Sequence, residues 1–269
     1  MSVFLGYVAM VLLGMVLGLI GAGGSILTVP VLVYLLDIPA SQATGYSLAI
    51  VGTTALVGGS AYLRRKQSDL RMALTFGTPA IIGVYLTRRY IFPAVPDPVA
   101  QFENFILSKD IMVMLVFAVF MFIAAIAMIR SSGQETAAEG VPDKVKLNYL
   151  LLFPGGFGVG IFTGFVGAGG GFMILPFLVL MGGLPIKIAI GTDLLIIAAK
   201  SLIGFGGEMQ VAHSIDYRFV ALITVLPLVG ILLGAYLNKR IPGGKLKTAF
   251  GWFVLVMGIY IVIKELFLS

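Results

Sequence analysis

Seven stretches of the chain carry no charged side chain: Met1–Leu36, Ile38–Leu63, Met72–Thr87, Ile111–Ile129, Leu147–Ile186, Phe219–Asn238 and Thr248–Ile263. A helix needs about 20 apolar residues to cross the hydrocarbon of a bilayer, so most of these runs predict one crossing each. The two longest are interrupted by glycine clusters and must break or fold back. Strands of a membrane barrel would alternate polar and apolar over about 10 residues. These runs are uniformly apolar, which predicts helices. The segments fall near 2–20, 25–36, 40–63, 70–90 and 110–130, and again near 147–166, 171–182, 186–205, 217–238 and 247–267. The second of each set has about 12 residues, or roughly 18 Å of helix, too short to span alone.

Composition agrees with that pattern. Of 269 residues, 59% are hydrophobic and 11% charged, with a mean hydropathy of +1.07; soluble domains carry about 25% charged residues. The class is an all-α polytopic membrane protein, whose first partner is the lipid bilayer. A soluble enzyme and a nucleic-acid-binding domain are excluded. The absence of cysteine excludes disulfides, iron–sulfur clusters and thiol catalysis, and a single histidine argues against haem or a His-rich metal site. No cofactor is expected. No Lys or Arg precedes the first apolar stretch, which argues against a cleaved signal peptide.

The chain also repeats itself. Gly18-Leu19-Ile20-Gly21-Ala22-Gly23-Gly24 recurs as Gly164-Phe165-Val166-Gly167-Ala168-Gly169-Gly170. Pro30, Pro39 and Gly45 recur as Pro176, Pro185 and Gly191 at the same offset of 146 residues. Asp69-Leu70-Arg71 resembles Asp216-Tyr217-Arg218, and Gly83-Val84-Tyr85-Leu86 resembles Gly234-Ala235-Tyr236-Leu237. Agreement in order and spacing predicts two repeats of about five segments, 1–130 and 147–269, with short broken or re-entrant helices after the glycine turns. The polar stretch Ser131–Asp143, with Gly133, Gly140 and Pro142, predicts a flexible linker over 131–146.

Charge sets the orientation. The loop after the third segment carries Arg64, Arg65, Lys66 and Arg71, whereas its counterpart Gly206–Asp216 has no Lys or Arg and holds Glu208 and His213. With the basic loop cytoplasmic, the repeats are inverted. Arg88 and Arg89 then fall on the outer side, against the rule. His213 reads as a solvated loop residue that could respond to pH.

Inverted repeats with short, Gly/Pro-interrupted segments are a pattern of secondary transporters, whose substrate site lies near the midplane between the repeats. A helix starting at that depth aims free N–H groups and a positive dipole end at the cavity, which favours anions. Gly21, Ala22, Gly23 and Gly24, and Gly167, Ala168, Gly169 and Gly170, are positioned to do so. Small residues also serve tight helix packing, and both uses stay open. Asp193 and Lys200 are the ionisable residues inside the third segment of the second repeat, and charge in a membrane is costly enough to suggest function. Seven residues apart, they share a helix face about 10 Å apart along the axis, too far for a direct bond between backbone-centred charges. Lys200 would offset an anion's charge; Asp193 would tune it or carry a proton, or the two neutralise each other. The hydroxyls of Ser47, Thr54, Thr192 and Ser201 supply neutral donors, although such groups often bond only their own helix.

The doubled Gly-x-x-Gly-x-Gly-Gly, each copy followed by a proline, and the Gly-Thr of the third segment resemble the sulfite exporter TauE/SafE family over nearly the whole chain. That resemblance implies export or movement of small sulfur-containing anions such as sulfite, sulfonates or sulfoacetate across a bacterial inner membrane. The family's Gly-Thr-Ser is met by Gly191-Thr192, with Asp193 in place of the serine. The leading expectation is a secondary transporter rather than an enzyme, working by alternating access on a small anionic substrate. An anion channel would use the same glycine-lined half-helices. An intramembrane protease lacks its base or its second buried aspartate, and no Walker sequence points to ATP hydrolysis. Nucleic acid is not an expected partner, and assembly into a homo-oligomer stays open.

Overall fold

The structure, a computed structural model, describes residues 2–21, 24–102, 105–130, 149–166, 171–180, 182–210, 215–238 and 243–267. Ala22, Gly23, Gly167–Gly170, the linker at 131–146 and His213 lie outside the described residues. The helices are α1 (Ser2–Ile20), α2 (Ser25–Tyr34), α3 (Ala40–Arg64), α4 (Leu70–Leu86), α5 (Phe92–Ala94), α6 (Lys109–Arg130), α7 (Tyr149–Val166), α8 (Gly171–Leu180), α9 (Ile186–Met209), α10 (Tyr217–Leu237) and α11 (Gly243–Phe267). A two-stranded antiparallel hairpin, β1 (Ala100–Phe102) and β2 (Phe105–Leu107), joins α5 to α6. Among the described residues four helices are long and apolar enough to cross a membrane: α3, α4 with its extension to Ala94, α9 from Lys187, and α10. Large apolar side chains lie on the surface, Leu74 at 69% exposure and Leu222 at 73% among them. Only a non-aqueous solvent accommodates so much exposed apolar surface.

The helix starts follow from their caps. Pro39 and Pro185 hold extended ψ angles of 138° and 142° before α3 and α9; each breaks the preceding chain and opens the next helix. Asp69 accepts from the amides of Arg71 and Met72 at the start of α4, and Asp216 accepts from the Phe219 amide at the start of α10. These are side-chain N-caps that satisfy donors the helix itself leaves unpaired.

Glycine sets the packing. A Cβ on Gly14 would lie 2.1 Å from the Pro227 carbonyl oxygen, and one on Gly18 would lie 2.4 Å from that of Ile231. Gly230 and Gly234 press on Val11 and Met15 in the same way, so α1 and α10 run parallel in backbone contact. Gly156, Gly160 and Gly164 meet Phe76, Ala80 and Val84, which makes α7 and α4 a second parallel pair. At the centre α3 and α9 run antiparallel: Gly45 faces Glu208, Gly52 faces Leu202, and Gly59 faces Leu195. Helix α6 packs on α11. Side chains from nearly every helix form one buried cluster.

Helix α2 starts at depth. Gly24, at its N-terminus, lies against Leu13 and Leu17 of α1, while Leu36 beyond its end lies against Gly6. It therefore runs back along the first part of α1, and its 10 residues cover about 15 Å.

Two segments are longer than the sequence pattern predicts. Helix α9 continues to Met209 through Gly204, Gly206 and Gly207. Glycine costs about 1 kcal/mol in a helix interior, but here it admits a neighbour: the Val84 side chain fits against Gly204, and the Tyr85 ring and Arg88 fit against Gly207. Glu208 therefore belongs to the last helical turn rather than to a loop. Helix α4 continues through a π-helical turn, Thr87–Ile91, in which the Phe92 amide donates to the Thr87 carbonyl.

Candidate functional site

Lys200 is the centre of the site. It sits midway along α9 and is fully buried. Its Nζ donates to the Thr163 hydroxyl of α7 at 3.1 Å, and Thr163 is itself buried. That hydroxyl donates back to the Gly160 carbonyl at 3.3 Å, leaving its lone pairs towards the ammonium. Thr163 escapes a sequence reading because nothing in a lone helical threonine signals a partner thirty-seven residues away. The antiparallel register that pairs Gly52 with Leu202 and Gly59 with Leu195 puts Thr54 at the level of Lys200. These are also the two residues that the sequence repeat aligns.

Asp193 lies two turns from Lys200 on the same helix, fully buried, and neither carboxyl oxygen has a hydrogen-bond partner. No ion pair joins Lys200 and Asp193 among the described residues. The Ser201 hydroxyl is also buried without a partner. Lys200, Thr163, Asp193 and Ser201 thus place one cation, one acid and two hydroxyls along the middle of α9 and the last turn of α7.

The other sequence-predicted residues divide. Thr54 returns its hydroxyl to the Ile50 carbonyl at 2.6 Å and lines a narrow void with Gly24, Thr28, Leu17 and Pro227, roughly the size of one water. Ser47 donates to the Thr44 carbonyl at 3.2 Å. Thr192 donates to the Ile188 carbonyl and accepts from the Asp69 amide, both at 2.8 Å, so it ties α9 to the turn before α4. Gly21 ends α1 with φ +81°, its amide on the Leu17 carbonyl at 2.8 Å. A Cβ there would lie 2.9 Å from the Ile190 side chain of α9. The freed carbonyls at this helix end are taken by distant groups: the Tyr62 hydroxyl donates to the Gly18 carbonyl at 3.1 Å, and the Asn238 side-chain Nδ2 donates to the Leu19 carbonyl. Backbone groups at such depth need partners of this kind.

A second cluster was not signalled by the sequence. Arg88, in the π turn, is fully buried, and its Nη1 donates to Glu208 Oε2 at 3.0 Å. Its Cζ lies 4.6 Å from the centre of the Phe92 ring, and Lys109 Nζ lies 4.2 Å from the same ring. Arg88 is therefore a paired residue inside the bundle, which removes one of the two charges that disagree with the expected orientation.

Buried ionisable groups on long apolar helices, beside a helix that begins at depth, define a multi-pass membrane transporter. A profile of the sulfite exporter TauE/SafE family matches residues 7–261, and the chain belongs to that family. It is 27% identical over 240 residues to YdhB of Bacillus subtilis, covering 89% of this chain and 92% of that one. It is 25% identical over 276 residues to YunE of the same organism, covering 97% and 99%. A Haemophilus influenzae protein is 29% identical over 273 residues, covering 94% and 95%. All three are described as probable membrane transporter proteins.

Proposed function

We propose that this protein is a secondary carrier for small sulfur-containing anions, such as sulfite, sulfonates or sulfoacetate, exporting them across a bacterial inner membrane. Two inverted repeats, 1–130 and 147–269, joined by a linker at 131–146, would rock about a site at the crossing of α3 and α9. The observation that carries this reading is the Lys200 ammonium: fully buried and held by a neutral hydroxyl, with no direct counterion among the described residues. A buried cation without a bonded anion is costly, and an anionic substrate offsets that cost. Thr163 and Ser201 offer hydroxyls to its oxygens. Gly24 brings the start of α2 to the same depth, where the positive end of the helix dipole favours negative charge. Asp193 limits the total charge the site accepts, while Ser47, Thr54, Thr192 and the two glycine turns complete the proposed lining.

The helix pairing supports inversion. Helices α1 and α10 are parallel, as are α4 and α7, and in the sequence repeat α7 answers to α1 and α10 to α4. The repeat-related α3 and α9 are antiparallel. Repeat-related hydrogen bonds also cross: the Asp69 amide donates to Thr192, and the Asp216 amide donates to the Tyr46 hydroxyl at 3.2 Å.

The test is flux in proteoliposomes. Sulfite or sulfoacetate should exchange across the membrane with saturation and counterflow, and Lys200→Met should lower that flux at least tenfold, or about 1.4 kcal/mol, with normal membrane yield. Flux that never saturates would favour a channel, and flux unchanged in Lys200→Met would remove Lys200 from the site.

A further inference from the structure

Arg88 carries a feature that the proposed midplane site does not use. Its Nη1 is bound to Glu208, but Nε and Nη2 are buried and have no hydrogen-bond partner. Those two nitrogens form the side-on edge of the guanidinium, which presents two parallel N–H donors. This is the edge that matches two oxygens of a carboxylate, sulfonate or phosphate. Leaving both donors unmet in a fully buried position is expensive: each costs roughly 1–3 kcal/mol. The surroundings hold the group in place. Glu208 pins one nitrogen, the Phe92 ring packs against the guanidinium carbon, and the π turn turns Arg88 and Phe92 inward together while Tyr90 and Ile91 face out. Such turns recur at functional sites.

Arg88 and Lys109 share this end of the bundle with three carboxylates, Glu208, Asp97 and Asp110. Lys109 shares the Phe92 ring and donates to the Phe92 carbonyl at 2.6 Å. Asp110 is engaged with the Ser41 amide at 2.7 Å, and Asp97 with the Lys109 amide at 3.0 Å. Glu208 is the one carboxylate bonded to the guanidinium among the described residues. Nearby, Phe165 at the end of α7 packs edge-on against Phe92, with ring centres 5.5 Å apart, which closes the cluster on its apolar side.

We infer that Arg88 is a second anion-binding residue, whose Nε–Nη2 edge grips an oxyanion bidentately at the end of the bundle opposite the basic loop Arg64–Arg71. This rests on the anion-carrier reading above and adds to it a station on the exit side. The position follows from the helix directions: Arg88 follows the end of α4 and Glu208 lies in the last turn of α9, whereas the basic loop lies between α3 and α4. The ligand class is a small anion with two adjacent oxygens on one centre.

The test uses full-length protein in oriented proteoliposomes, with sulfoacetate offered from either side. Arg88→Lys keeps the charge and the Glu208 pair but removes the fork. It should raise the apparent KM roughly tenfold from the outer side, while maximal flux and the inner-side KM stay near those of the parent. Arg88→Gln, which keeps part of the hydrogen bonding, should be weaker still from the outer side. A purely structural Arg88 would instead lower the folded yield and the maximal flux with KM unchanged. Unchanged KM in folded Arg88→Lys overturns the inference. Parent protein that moves no oxyanion defeats the carrier reading itself, which is a separate result.

Discussion

At the scale of single residues, a membrane interior separates groups that merely pack from groups that work, because an unmatched polar atom has no water to turn to. Thr54, Thr192 and Thr163 all return a hydroxyl to their own helix. Only Thr163 also receives the ammonium of Lys200. Replacing Thr163 with valine should therefore reduce anion flux several-fold without matching the loss in Lys200→Met; equal loss in both would mean that Thr163 does more than hold Lys200. Asp193 stands where the family resemblance leads one to expect serine, and its two buried oxygens have no hydrogen-bond partner. Asp193→Ser should raise transport of the dianion sulfoacetate relative to a monoanion such as methanesulfonate, by a few-fold. Competition flux reads that ratio, and no change in it removes Asp193 from substrate selection.

At the scale of elements, the parallel pairs α1–α10 and α4–α7 are backbone-to-backbone contacts made by glycine. Without large apolar gain on association in lipid, helices bind through close packing, and small residues permit it. A Cβ on Gly160 would lie 2.2 Å from the Ala80 carbonyl oxygen, so the neighbour cannot yield. Gly160→Leu should lower the thermal midpoint of the purified protein by several degrees or block its accumulation. Gly206→Ala, where a Cβ meets nothing within 4 Å, should leave both unchanged. An undisturbed Gly160→Leu would show that α4 and α7 are not packed in this way.

At the scale of the whole molecule, inversion of the repeats makes a claim about sidedness. The chain has no cysteine, so single cysteines report cleanly. Lys66 lies just beyond α3 and Gln210 just beyond α9, and both are exposed. Lys66→Cys and Gln210→Cys should label from opposite faces of right-side-out vesicles with a membrane-impermeant maleimide; labelling from one face alone would exclude inversion. A carrier that rocks also needs α3 and α9 to shift against each other. A cross-link between Gly59→Cys and Leu195→Cys, which face each other in the structure, should arrest flux reversibly.

Helical character, segment positions and the doubled pattern could be read from the chain alone. Charge is too costly in hydrocarbon, and proline and glycine are too disruptive in a helix, for either to be scattered at random. Lys200 and Asp193 were visible for the same reason. Thr163 and Arg88 were not, because their meaning lies in partners on other helices. Glycine near the end of α9 reads as a break in the sequence, yet packing against α4 keeps it helical. What the fold alone decided is which donors are left without acceptors: pairing between distant helices depends on distances of a few ångströms, which no local pattern of residues encodes.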